Sequence, residues 1–174
     1  MSSQDSTDNE TPLHLASRNG HMKAACKLIE HGADVTQSGD GLTPLHVASK
    51  SGQVDIARML IERGADVTAQ GRDGVTPLHL ASPRQDIARM LIERGADVTA
   101  QIRDGWTPLH LASYIGQVDF ARMLIERGAD VTAQGRDGWT PLHIASLIGR
   151  VDFVDMLIER GADVTAQSND GESP

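Results

Sequence analysis

The four-residue phrase Thr-Pro-Leu-His occurs five times in this 174-residue chain at nearly constant spacing. The copies begin at Thr11, Thr43, Thr76, Thr107 and Thr140, so that successive copies are 32, 33, 31 and 33 residues apart. A second phrase, Gly-Ala-Asp-Val-Thr, follows each copy and begins at Gly32, Gly64, Gly95, Gly128 and Gly161. A period of this length indicates supersecondary units that bury their apolar faces only against their neighbours.

The second copy shows how the sequence of one unit predicts its local structure. The hydroxyl of Thr43 can cap a helix, and Pro44 suits the first helical position. Gly52 can adopt the left-handed conformation that ends a helix, and Gly64 stops the next one. That second helix is indicated by apolar residues at helical spacing, namely Val54, Ala57, Leu60 and Ile61. Each unit is therefore predicted to be a helix, a turn, a second helix and a polar loop.

This pattern resembles the ankyrin repeat, whose signature is Thr-Pro-Leu-His-x-Ala with a period of about 33 residues. All five copies carry the phrase complete, followed by Leu, Val or Ile and then by Ala. The resemblance implies an all-α solenoid of stacked helix-turn-helix units with protruding β-hairpin loops. It also implies that the five histidines of the phrase tie helix starts to adjacent loops by hydrogen bonds.

The repeats divide the chain into segments. The ankyrin-repeat region covers residues 10–167, with repeats 1 to 5 at about 10–39, 40–72, 73–103, 104–136 and 137–167. Residues 1–9 are polar and acidic and are expected to be a disordered tail, and residues 168–174 form a C-terminal tail. Repeat 3 lacks two residues near Pro83, which predicts a tightened turn between its helices and a local dent in the inner wall.

Composition excludes several classes of function. Lys and Arg number 16 against 24 Asp and Glu, which gives a net charge of −8 and no basic footprint for nucleic acid. The apolar runs are far shorter than the ~20 residues that span a bilayer, and no signal-peptide pattern begins the chain, so no membrane contact is expected. Cys26 is the single cysteine and cannot form an intramolecular disulfide, which favours a reducing, cytoplasmic location.

The sequence contains no recognisable catalytic or metal-binding arrangement. The five histidines of the repeated phrase stand one per repeat and do not converge on one metal ion. Neither a phosphate-binding glycine loop nor a nucleophile elbow is present, and no converging acid–base pair can be identified. We therefore expect no enzyme activity, no metal and no cofactor.

The positions at which the repeats differ are free to specify a partner. The residue before each Thr is Leu42, Val75, Trp106 or Trp139 in repeats 2 to 5. The pair after Ala-Ser is polar early in the chain, as in Arg18-Asn19 and Lys50-Ser51, and apolar later. The family resemblance places these positions on loop tips and on the concave helix face, which ankyrin proteins generally use to grip other proteins. Engineered ankyrin-repeat binders are varied at the same places.

Three of the five aromatic residues of the chain fall at these positions in the last two repeats. Exposed together, they would form the kind of apolar patch that a monomer keeps for a partner. The alternative is that each indole packs over its own loop. The predicted partner-binding residues, here called the variable surface, are Ile102, Arg103, Trp106, Tyr114, Ile115, Arg136, Trp139, Leu147 and Ile148.

These observations predict a non-enzymatic, monomeric protein-binding scaffold that uses the concave helix face and loop tips of repeats 3–5. Two alternatives of a different kind remain open at this point. The array could be a spacer or regulatory segment of a larger multidomain protein, or a designed array with no natural target, because duplication and design both produce nearly identical repeats.

Overall fold

The computed structural model describes residues 10–39, 41–81 and 84–174. Within these ranges the chain forms ten α-helices, two for each repeat, and a short 3-10 turn at Arg72–Gly74. The helices are α1 Pro12–Asn19, α2 Met22–Glu30, α3 Pro44–Ser51, α4 Val54–Glu62, α5 Pro77–Leu80, α6 Gln85–Glu93, α7 Pro108–Ile115, α8 Val118–Glu126, α9 Pro141–Leu147 and α10 Val151–Glu159.

The predicted helix starts are confirmed in all five repeats. Each first helix begins at the proline of the repeated phrase, after a threonine in an extended conformation. In repeat 2, the hydroxyl of Thr43 accepts a hydrogen bond from the backbone N–H of His46 at 3.5 Å. The predicted helix end is also confirmed, since Gly52 has φ of 76° and donates its N–H to the carbonyl of Ala48. In repeat 2 the first helix therefore begins at its threonine cap and ends at the glycine that adopts the left-handed conformation.

The chain divides into two compact units, residues 1–95 and 96–174. In the first unit, α1 packs against α2 and α3, and α3 packs against α4 and α5. In the second unit, α7 packs against α8 and α9, and α10 packs against both α8 and α9. The core of each unit is built from leucines, isoleucines and phenylalanines that recur at the same repeat positions, such as Leu45, Leu60, Ile56, Leu142, Leu157 and Phe153. Each unit is thus an all-α repeat solenoid.

The loops differ in one detail from the expected β-hairpins. Across the described ranges the chain contains no β-strand, and only one isolated bridge joins Gly39 to Leu42. In the second unit, Ile102 donates its N–H to the carbonyl of Trp106 at 3.0 Å, and Gly105 donates to Ile102 at 2.8 Å. Each such loop is a tight turn, because the next Thr-Pro begins a helix before a strand ladder can extend.

Some expectations lie outside the described residues. They are the disordered tail at 1–9, and the tightened turn at Ser82 and Pro83 together with the dent it predicts in the inner wall. The first helix of repeat 3, α5, contains 4 residues, whereas α3 and α7 contain 8 each.

Four histidines of the repeated phrase, His14, His46, His110 and His143, have the structural role that the resemblance implies. In repeat 2, the N–H of Thr43 lies 3.1 Å from Nδ1 of His46, and Nε2 of His46 lies 2.9 Å from the carbonyl oxygen of Val75. Because a backbone N–H only donates, Nδ1 must accept and Nε2 must carry the proton. The neutral imidazole therefore joins the start of one helix to the loop that precedes the next repeat.

Burial lowers the pKa of His46 and His110 below the ordinary value of 6.5, against the opposing effect of the carbonyls they contact. The unfolded chain therefore binds more protons than the folded chain as pH falls through this value. Above pH 6.5 these two histidines make their full contribution to the free energy of unfolding. This contribution is lost progressively as the pH falls below that value.

We therefore predict that acidification from about pH 7.5 to about pH 5 lowers the free energy of unfolding, by about 1.4 kcal/mol for each pKa unit of difference per histidine. Urea unfolding monitored by circular dichroism at several pH values measures this change. The variant His46→Gln serves as a control, since it should be less stable at neutral pH but depend less on pH. A free energy of unfolding that stays constant over this pH range would contradict the prediction.

Candidate functional site

All nine residues of the variable surface lie in the second compact unit, residues 96–174. Tyr114, Ile115 and Leu147 are exposed, with relative accessibilities of 59%, 38% and 71%. Arg103 and Arg136 are also exposed, and the half-buried members are Ile102, Trp106, Trp139 and Ile148. The exposed apolar side chains are carried by α7 and α9, the first helices of repeats 4 and 5, which are here called inner helices. The indoles are carried by the loops before these helices.

The indole of Trp106 packs against its own repeat and against the next loop. Its ring is stacked on the imidazole of His110, with centroids 6.0 Å apart and planes at 22°. The ring of Tyr114 lies tilted beside it at 6.2 Å. A Cβ atom added at Gly135 would stand only 3.1 Å from Cδ1 of Trp106, so the indole closely approaches this backbone. Trp106 therefore supports the scaffold with part of its ring.

The indole of Trp139 borders an open groove. It is stacked on His143 with centroids 6.0 Å apart, as Trp106 is on His110. Repeat 5 carries Leu147 at the position where repeat 4 carries Tyr114, so no phenol ring lies beside this indole. The groove is lined by Trp139, His143, Ser146, Leu147, Glu172, Ser173 and Pro174. Trp139 and Leu147 therefore share one apolar depression.

The far wall of this groove comes from residues that the sequence analysis assigned to a C-terminal tail. Glu172 accepts a hydrogen bond from His143 Nε2 at 3.0 Å through its carbonyl oxygen, and the N–H of Asn169 donates to Asp137 at 2.8 Å. Residues 168–174 therefore adopt the loop geometry that precedes each repeat. The signal was present in the sequence, since Asp-Gly-Glu-Ser-Pro at 170–174 resembles Asp-Gly-Trp-Thr-Pro at 137–141.

Backbone hydrogen bonds join the two loops that carry the indoles. The N–H of Arg136 donates to the carbonyl of Asp104 at 2.9 Å, and Nε2 of His110 lies 3.1 Å from the carbonyl oxygen of Trp139. Gly105, between these partners, has φ of 76°, and a Cβ there would stand 3.0 Å from the nitrogen of Arg136. The loops are therefore held in one relative position, which places the variable surface on a rigid support.

The structure groups the variable surface around its rings. Trp106 meets Tyr114 directly and Ile102 through a backbone hydrogen bond, while Trp139 and Leu147 share the groove. The ring contacts found among the described residues join each indole to its own repeat and not to the other indole. Ile115 ends α7, and Ile148 caps the end of α9.

The described residues contain no group of three or more His, Cys, Asp or Glu side chains that could hold a metal ion. In the same part of the chain, no helix has the length and apolar character needed to cross a bilayer. What the site offers is a set of apolar side chains on a rigid frame, with two exposed arginines, Arg103 and Arg136, on the same loops as the indoles.

Comparison with protein-family models gives a match to ankyrin repeats. The matched stretches are residues 1–71, 37–102, 69–135 and 99–168, so that they cover nearly the whole chain. A comparison with curated proteins gives no match.

The different surroundings of the two indoles lead to a prediction about stability. We expect Trp106→Ala to lower the free energy of unfolding by about 2 kcal/mol, less than the roughly 3–5 kcal/mol of a fully buried ring. Trp139→Ala should cost less, because its ring borders an open groove. Thermal and urea unfolding of both variants, with Leu147→Ala as an exposed control, measure the difference. An equal or larger loss for Trp139→Ala would contradict the prediction.

Proposed function

This chain belongs to the ankyrin-repeat family, whose members are generally protein-interaction modules, and we propose that it is a non-enzymatic scaffold that binds another protein through its variable surface. The partner lies against the concave helix face and the loop tips of repeats 3–5. The binding is non-covalent and needs no metal or cofactor.

The observation that carries this proposal is the exposure of large apolar side chains at one register position. Tyr114 is 59% exposed and Leu147 is 71% exposed, whereas Arg18 and Lys50 occupy the same position in repeats 1 and 2. Stacking does not bury this position in repeats 1, 2, 4 or 5, so the apolar residues there do not serve the core. Neighbouring exposed apolar groups of this kind are typical of a surface that a partner covers.

The groove beside Trp139 suggests how the partner is held. An apolar side chain of the partner fits against the indole and against Leu147, where both surfaces lose contact with water. Arg103 and Arg136 are exposed on the loops that carry the two indoles, and in this proposal they meet carboxylates of the partner. The indole already stacks on His143, so little rotational freedom is lost when the partner binds.

The single cysteine supports a location in a reducing compartment as part of this proposal. Cys26 is half-buried and is the only cysteine of the chain, so the fold uses no intramolecular disulfide. A scaffold of this composition is compatible with the cytoplasm.

The proposal predicts that Tyr114→Ala combined with Leu147→Ala weakens partner binding about tenfold or more while leaving stability nearly unchanged, because both side chains are exposed in the free protein. In a pull-down from a lysate of the source cell, quantitative mass spectrometry identifies the proteins that the wild type retains and the double variant does not. The dissociation constant of each purified candidate is then measured by calorimetry. Lys50→Ala is the matched control, since it removes the side chain at the same register position in repeat 2.

Equal retention of every protein by the wild type and the double variant would contradict the variable surface as the binding site, and loss through Lys50→Ala would place the contact in the first repeats. Retention of no protein at all would favour the spacer alternative. Trp139→Ala adds a further criterion. Removing a ring that anchors the partner lowers the affinity, whereas removing a purely structural ring lowers only the thermal midpoint. Both quantities are measured on the same preparation.

A further inference from the structure

The ends of three first helices, α1, α3 and α7, are each contacted by a side chain from the following repeat. In the second compact unit, a Cβ atom added at Gly116, which ends α7, would stand 2.8 Å from Nε and 2.9 Å from Cζ of Arg150. The guanidinium group of Arg150 therefore lies directly against the backbone of Gly116. Arg150 stands immediately before α10, so this contact joins repeat 5 to repeat 4.

The same contact occurs twice in the first compact unit. A Cβ atom at Gly52 would stand 2.9 Å from Nε of Arg84, and one at Gly20 would stand 2.6 Å from Oε1 of Gln53. Gln53, Arg84 and Arg150 hold the same position in their repeats, immediately before the second helix. The contact is therefore a regular feature of how these repeats stack, although the sequence analysis did not identify it.

This contact reaches the register position that carries the variable surface. In repeat 1, Nε2 of Gln53 donates a hydrogen bond to the carbonyl oxygen of Arg18 at 3.2 Å. Arg18 occupies the register position of Tyr114, two residues before the glycine in both repeats. Tyr114 and Ile115 are the last two residues of α7, so they stand directly before the glycine that Arg150 contacts.

The charge of Arg150 is favourable at the end of α7. The free carbonyl groups at the C-terminal end of a helix carry a partial negative charge, which a nearby cation stabilises. The last turns of α1 and α3 contain their own cations, Arg18 and Lys50, whereas the last turn of α7 contains no basic residue. Tyr114 stands at the position of those cations. The positive charge at the end of α7 therefore comes from Arg150 of the next repeat.

We propose that Arg150 is a positioning residue of the variable surface, which holds the end of α7, and with it Tyr114 and Ile115, from the neighbouring repeat. The aromatic residue that contacts the partner and the cation that stabilises its helix are thus provided by different repeats. The inference deepens the proposed function and rests on it for what this surface binds.

Amide hydrogen exchange, measured residue by residue by NMR on the full chain, tests whether Arg150 holds this helix end. The N–H groups of Gly116 and Gln117 both donate to the carbonyl of Ala112, at 2.8 Å and 3.0 Å, and so close α7. Arg150→Ala is expected to speed the exchange of these two amides roughly fivefold, because local opening of the helix end becomes easier.

Two matched variants separate a local effect from a general loss of stability. Arg84→Ala removes the corresponding contact in the first compact unit, so it is expected to speed the exchange of Gly52 and Gln53, the amides that close α3. It should leave the two amides at the end of α7 unchanged. Arg122→Ala removes an exposed cation from α8 and is expected to change neither helix end.

Arg150→Gln separates the contact from the charge. Glutamine is the residue of repeats 2 and 4 at this position, and Gln53 makes the equivalent contact with Gly20. The exchange rates of this variant are expected to lie between those of the wild type and Arg150→Ala at low ionic strength. In high salt, where the charge of Arg150 is screened, they should approach the wild-type rates.

Three results of these exchange measurements would overturn the proposal. The first is that Arg150→Ala leaves Gly116 and Gln117 at their wild-type rates, and the second is that it speeds the amides at the end of α3 by the same factor. The third is that Arg150→Gln in high salt exchanges as fast as Arg150→Ala, because the contact would then have no effect.

The lysate pull-down tests whether the held helix end matters for binding. For a purified partner whose retention requires Tyr114 and Leu147, Arg150→Ala is expected to weaken the affinity about threefold or more, and Arg150→Gln is expected to restore most of it. Equal affinity of wild type and Arg150→Ala would overturn the positioning role. If the wild type retains no protein, the proposed function fails, and the exchange rates still decide whether Arg150 holds the end of α7.

Discussion

The hydrogen bonds made by the histidines of the Thr-Pro-Leu-His phrases, shown for His14, His46, His110 and His143, are the interaction on which the remaining structure depends. In repeat 2, one ring nitrogen of His46 accepts from the backbone of Thr43, and the other donates to the carbonyl of Val75. A single side chain therefore fixes where one helix starts and where the next loop lies. The bonds require the neutral imidazole, which burial also favours by lowering the pKa of His46. The same group that holds the stack together thus makes it sensitive to acid.

This arrangement also positions the candidate binding site. His110 bonds to the backbone of Trp139, and Trp106 stacks on the ring of His110. The indoles are consequently supported by the histidines of the scaffold and are not free loop side chains. A partner that contacts Trp139 or Leu147 meets a surface that is already ordered, which reduces the entropy lost on binding. Scaffold and binding surface are therefore neighbouring parts of one network.

Residues at equivalent positions serve different purposes because their neighbours differ. Ile144 is buried in repeat 5, whereas Leu15 at the same position of repeat 1 is exposed, although both are aliphatic. The repeat pattern determines that an aliphatic residue stands at this position. Whether its side chain is removed from water depends on whether another repeat packs over it. The variable surface differs from such positions because stacking leaves its helix position, that of Tyr114 and Leu147, exposed in repeats 1, 2, 4 and 5.

The sequence by itself determined the period, the helix starts and the helix ends, because a threonine cap, a proline and a glycine act on the backbone within a few residues of themselves. It also identified the variable surface as the place where the repeats differ. Only the tertiary structure decided that Trp106 packs on Tyr114 while Trp139 borders a groove, and that residues 168–174 form a wall of it. The resemblance of residues 170–174 to 137–141 indicates a repeat loop, but it does not say which side chains of the neighbouring repeat that loop faces. The contacts themselves depend on which side chains of neighbouring loops and helices meet. Burial is a property of the assembled stack, so the exposure of Leu15 and Val151 could be read only after the repeats had been placed against one another.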